Sequence, residues 1–131
     1  MLNTGIKGKL ERLVTKELSA KTMGSGELDV FATPAMIALI EETAWKSVAS
    51  ELDEGCGTVG TKLDVAHTAA TPIGMRVTCE TELIEIDRRR LTFSVRVWDE
   101  AGEVGSGTHE RFIVDNAKFQ AKADGKAVQN G

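Results

Sequence analysis

Three residues carry side chains that could do acid–base or nucleophilic chemistry together: Thr33, Glu41 and His67. A carboxylate can act as nucleophile or general base, an imidazole can move a proton near neutral pH, and a hydroxyl can orient either. Glu41 is out of place for stability alone. On a helical wheel at about 100° per residue, Ile37, Ile40, Ala44, Trp45, Val48 and Leu52 form one apolar sector, and Glu41 falls inside it. Burying an ionised carboxylate without partners costs several kcal/mol. His67 repeats the anomaly, sharing its odd-numbered face with Val59, Leu63 and Val65. Each residue also has a plain reading. Glu41 could sit at the rim of its helix, His67 could be a satisfied core residue, and Thr33 could be an ordinary N-cap.

The elements that must position these groups follow from periodicity. Residues 1–6 read as a frayed end. Lys7–Thr15 reads as a strand, and Ser19–Asp29, small and polar, as a loop. Thr33 as N-cap and Pro34 as first helical residue open a long helix to about Leu52, stopped by Glu54-Gly55-Cys56-Gly57. The period then changes to two: Val59–Ala66, Met75–Leu83, Leu91–Val97 and Val104–Val114 read as strands, with turns at Thr71–Gly74, Ile86–Arg90 and Asp99–Gly102. From Asn116 onward the chain is polar and small and is expected to fray, residues 120–131 above all. One helix against one antiparallel sheet gives a single α+β domain over residues 1–131, a hotdog arrangement in which the sheet wraps a central helix. Its open edges call for a second copy, so a homodimer is expected, with a tetramer left open.

Composition excludes several classes. The 131 residues carry a formal charge of −4, against the basic excess of a nucleic-acid binder. The longest apolar run, Pro34–Ile40, is too short to span a membrane, and the N-terminus lacks a signal-peptide pattern. Cys56 and Cys79 form no metal-ligand spacing and read as reduced thiols of a cytoplasmic protein, and no metal site is expected. Gly55–Gly60 matches GxGxxG, but it leaves a helix and enters a strand, the reverse of a dinucleotide site. Arg88-Arg89-Arg90 reads as a solvated turn or as a contact to phosphates. His109-Glu110-Arg111 lies on the last strand.

Phe31-Ala32-Thr33-Pro34-Ala35-Met36, Leu39-Ile40-Glu41, Val59-Gly60-Thr61, His67 and Thr71-Pro72-Ile73-Gly74 together resemble the fluoroacetyl-CoA-thioesterase-like branch of the hotdog acyl-CoA thioesterases. The likeness spans about residues 5–119. It implies a catalytic set of a Thr, a Glu eight positions on and a His 26 further, matched by Thr33, Glu41 and His67. It also implies that the Gly60 backbone N–H holds the thioester oxygen. Arg111 aligns with a recurrent HER segment, where a contact to coenzyme A phosphate or a dimer ion pair are both open; Arg88 and Arg89 are candidate phosphate contacts. The fluoroacetyl-selective members carry aromatic residues before the helix as a lid, whereas residues 1–30 here hold no Phe, Trp or Tyr, which leaves the acyl group open between small and medium.

The expected activity is therefore hydrolysis of an acyl-CoA to free acid and coenzyme A, with no cofactor beyond the coenzyme A of the substrate. Two other readings stand beside it. A hotdog acyl-CoA hydratase or dehydratase would pair a His with an Asp on a different motif, absent here. A non-catalytic acyl-CoA or small-ligand binder would gain nothing from a buried carboxylate.

Overall fold

Alternation and turn chemistry produce five strands in a computed structural model that describes residues 1–130 and the side chains of residues 1–127. The strands are β1 (Lys7–Leu13), β2 (Cys56–His67), β3 (Arg76–Asp87), β4 (Arg90–Asp99) and β5 (Glu103–Asp115). They form one antiparallel sheet in the order β1-β3-β4-β5-β2. The helices are α1 (Ala20–Met23), α2 (Thr33–Val48) and α3 (Asn116–Asn130). Gly131 lies outside the described residues.

Helix α2 lies on the sheet through two apolar clusters. Met36, Leu39 and Ile40 pack with Val77, Cys79, Val95 and Val97, while Ala44 and Val48 pack with Leu83, Leu91 and Phe93. Each fully buried large aliphatic contributes about 1.5–3 kcal/mol. Helix and strand approach closely at Gly8, where a Cβ would lie 2.7 Å from the Ser47 Cβ and 2.8 Å from the Thr43 carbonyl. The buried stripe is therefore Met36, Leu39, Ile40, Thr43, Ala44 and Val48. That corrects the wheel: Ile37, Glu41 and Trp45 lie on the flank, with Trp45 43% exposed. At the crossing with Gly8 the small Thr43, Ala44 and Ser47, not the tryptophan, turn toward the strands, because only they fit the close approach.

Strand β2 forms an edge of the sheet and contains a bulge between Gly60 and Lys62. Gly60 pairs with Arg111 and, after the extra residue Thr61, Leu63 pairs with His109. The bulge shifts the alternation by one. Before it the even residues Thr58 and Gly60 face the side of α2; after it the odd residues Leu63, Val65 and His67 do. Val59 accordingly does not share a face with His67, which corrects that part of the alternation.

Three other expectations are corrected. Helix α2 ends at Val48 and gives way to a tighter turn over Ala49–Glu51, short of Leu52. Residues 1–6 are tied down: Gly5 N–H donates to the Leu83 carbonyl and Leu83 N–H to that of Ile6, while Leu2 and Ile6 pack on the second cluster. Beyond Asp115 the chain forms α3 instead of fraying. Asp115 Oδ1 accepts from the Lys118 N–H at 3.1 Å, and the Ala, Lys and Gln content favours a helix. Among the described residues no helix is long and apolar enough to cross a membrane.

Candidate active site

The start of α2 is held against the end of β2 by the backbone. Phe31 N–H donates to the Thr71 carbonyl, Val30 bridges Pro72, and Thr68 N–H donates to the Val104 carbonyl. Ala32, not Thr33, is the N-cap, with extended φ −73° and ψ 142° and no side-chain cap. Thr33 is thus the first helical residue, and its hydroxyl is spared the capping role expected of it. It meets the imidazole instead, with Oγ1 2.8 Å from His67 Nδ1. Phe31 meets the His67 ring edge-on at 6.2 Å. His67 Nε2 is buried with no hydrogen-bond partner among the described residues. Burial pushes the His67 pKa below the ordinary imidazole value, so the ring is neutral and Nε2 can take or give a proton at neutral pH. A cavity of about 270 Å³ opens here, lined by Ala20, Ser25, Val30, Phe31, Thr33 and His67, with residues 68–70 at its edge.

Glu41 lies two turns further along α2, in a second cluster. Arg111 Nη1 donates to Glu41 Oε2 at 3.1 Å. The carboxylate sits over Gly60 so closely that a Cβ there would collide with Oε2. The Glu41 side chain is 39% exposed, whereas Arg111 is 5% exposed. Arg111 also donates through Nε to Thr58 Oγ1 at 2.7 Å and through Nη2 to the Thr58 carbonyl at 2.9 Å. His109 is fully buried beside it, with Nε2 3.1 Å from Arg111 Nη1. Burial lowers the Arg111 pKa from its ordinary value, while the Glu41 contact works the other way; the guanidinium remains charged.

The structure thus joins Thr33 to His67 and joins Glu41 to Gly60, but holds the two pairs apart. Eight helical steps from Thr33 to Glu41 amount to roughly 12 Å. Arg111 is buried and turned inward, with Nε, Nη1 and Nη2 all donating to Thr58, Glu41 or His109 within the chain. Arg88 and Arg89 stand exposed at the β3–β4 turn, Arg88 with φ 60°, beside a separate hollow shared with Asp87, Arg90 and Phe112. Sequence reasoning missed Thr58 and named His109 only as part of the His109-Glu110-Arg111 segment, with no role of its own. The signal for His109 was its place two residues from Arg111 on one strand, which puts both on the same face. Among the described residues no group of acidic, Cys and His side chains could hold a metal.

A family model described as fluoroacetyl-CoA-specific thioesterase matches residues 14–117. The fluoroacetyl-CoA thioesterase of Streptantibioticus cattleyicolor is 45% identical over 94 residues, 72% of this chain and 68% of that protein. A solved structure of the fluoroacetyl-CoA thioesterase superposes with TM-score 0.90 at 36% identity, covering 96% of this chain and 98% of the other. A Thermus thermophilus protein described as a thioesterase superfamily member superposes with TM-score 0.90 at 25% identity, covering 98% and 96%. The sheet wrapped on one helix is the hotdog fold of these thioesterases, and by the extent of both matches the chain belongs to the family of fluoroacetyl-CoA-specific thioesterases.

Proposed function

We propose that this thioesterase hydrolyses a small acyl-CoA in a centre assembled from two copies of the chain. The carrying observation is the separation of the two pairs: Thr33–His67 on one side, Glu41–Gly60 on the other. A single thioester carbon cannot be reached from both across roughly 12 Å of helix. Strand β2 offers the means to close the gap. It is an edge strand, exposed over residues 60–64, with Leu63 36% exposed and Trp45 beside it on the flank of α2. Antiparallel pairing of two such edges about this stretch brings His67 of one copy toward Gly60 and Glu41 of the other.

In that arrangement the Gly60 N–H receives the carbonyl oxygen as charge develops on it. Either water adds to the carbonyl carbon and gives a proton to Glu41, or Glu41 adds and water later opens the resulting anhydride, which frees the acid and restores the carboxylate. In both routes the C–S bond breaks, the departing thiolate takes the proton on His67 Nε2, and the ring regains a proton that the water brings in. Thr33 holds the ring by its other nitrogen. The modest cavity of about 270 Å³ favours a short acyl chain, and the missing aromatic lid removes the demand for fluoroacetyl. Arg88 and Arg89 form no ion pair among the described side chains and are proposed to meet the phosphates of coenzyme A. The unpaired thiols of Cys56 and Cys79 support a cytoplasmic setting.

Mixing two inactive variants tests the arrangement. Glu41→Gln and His67→Ala should each lower kcat at least about 100-fold. Co-refolded in equal amounts, they should recover about a quarter of wild-type turnover, because half the pairs are mixed and each mixed pair has one intact centre. No recovery would place both groups of each centre in one chain, and wild-type turnover by Glu41→Gln would remove the assignment of Glu41.

A further inference from the structure

The side chain of His109 is wholly buried, belongs to neither pair, and is costly to keep in a core that an apolar residue of the same size could fill. Its contacts define its state. Nδ1 lies 2.8 Å from the Lys62 carbonyl, which can only accept, so Nδ1 carries a proton. Nε2 lies 3.1 Å from Arg111 Nη1, which can only donate, so Nε2 carries a lone pair. An imidazolium would set two donors face to face. The ring stacks on Phe93 at 6.4 Å and 30°, which fixes its plane. Burial, the chief influence, also lowers its pKa.

We propose that His109 is a positioning residue for the hydrolysis: its Nε2 takes one hydrogen of Arg111 Nη1 and so aims the other at Glu41. This rests on the reading of Glu41 given above. The nitrogen Nη1 has two hydrogens, and the structure accounts for both, one on His109 and one on Glu41 Oε2. Thr58 grips the outer edge of the guanidinium through Nε and Nη2. Without the imidazole, the inner hydrogen has only the carboxylate to turn to. That draws Glu41 into the guanidinium and off its place over Gly60. Arg111 by itself would hold Glu41; His109 decides where.

The test uses the full chain and its best short acyl-CoA. Replacement His109→Phe keeps the volume and the stacking on Phe93 but removes the acceptor. It should lower kcat between about 10- and 100-fold, as small displacements of a reacting group do, with KM little changed. His109→Gln, which offers an amide oxygen to Arg111, should recover most of the loss. In the Glu41→Gln background the Phe substitution should cost nothing further, because there is no carboxylate left to place. Nitrogen-15 spectra of the wild-type ring at pH 7 should show a neutral imidazole protonated at Nδ1. Full turnover by His109→Phe, an additive loss in the double variant, or a ring protonated at Nε2 would each overturn the proposal. If His109→Phe fails to fold, folded His109→Gln decides together with the wild-type spectrum: activity with the Nδ1–H ring upholds it, inactivity refutes it. Wild-type turnover by Glu41→Gln alone would instead refute the role of Glu41, a separate failure.

Discussion

Thr33 Oγ1 reaches His67 Nδ1 at 2.8 Å because Ala32 has taken over the N-cap of the helix. The threonine contributes no cap, so its hydroxyl serves the ring alone. Replacement by Val keeps shape and removes the hydrogen bond. Thr33→Val should lower kcat about 10- to 100-fold while Thr33→Ser keeps most activity. Thermal unfolding should move little in either, and thiol release from acyl-CoA reads the difference.

Gly60 is required by contact, not by backbone conformation. A Cβ at this position would strike the Glu41 carboxylate and approach Arg111 Nη1 at 3.2 Å. Gly60→Ala should displace Glu41 and lower kcat about 100-fold. Overpacking should also cost about 1–3 kcal/mol of stability, visible in a denaturant titration. An alanine variant of full activity would show that the carboxylate does not work from this place.

Both histidines have pKa values lowered by burial. The unfolded chain therefore binds more protons than the folded one at mildly acidic pH. The stabilisation from these neutral rings is present above the ordinary imidazole value of about 6.5 and is lost as pH falls below it toward the depressed folded values. Melting temperature should fall between pH 7.5 and pH 5.5, and less steeply in His109→Phe. The acid limb of kcat/KM should likewise lie below the ordinary imidazole value, since His67 stays neutral further into acid.

The two thiols should separate cleanly. Burial pushes the Cys79 thiol up to about 11, whereas Cys56 is only half-buried. Native protein treated with a thiol reagent at pH 8 should modify Cys56 first, with Cys79 reacting only on unfolding. Two thiols reacting equally fast in native protein would contradict the packing of Cys79 between α2 and the sheet.

The order of strands and the long helix were legible because each follows local periodicity and turn chemistry. Thr33, Glu41 and His67 stood out as candidates by type and spacing, and of their mutual contacts the chain itself makes Thr33–His67. What escaped lay in long-range contacts. Arg111 and Glu41 are 70 positions apart, and no local pattern says that one side chain will turn inward to the other. The wheel overrated Trp45 because it scores hydrophobicity and ignores how near a helix must come to Gly8. The segment from Asn116 read as frayed because its polarity was weighed above its helix propensity and the cap from Asp115.

The extra residue Thr61 has a consequence for how the chain can change length. Gly60 and His67 are separated by an odd number of steps yet look the same way, which regular pleating forbids. Any insertion or deletion between them can be tolerated only in pairs; a lone gain or loss would hand one of the two groups to the opposite side, leaving the sheet intact and the enzyme silent.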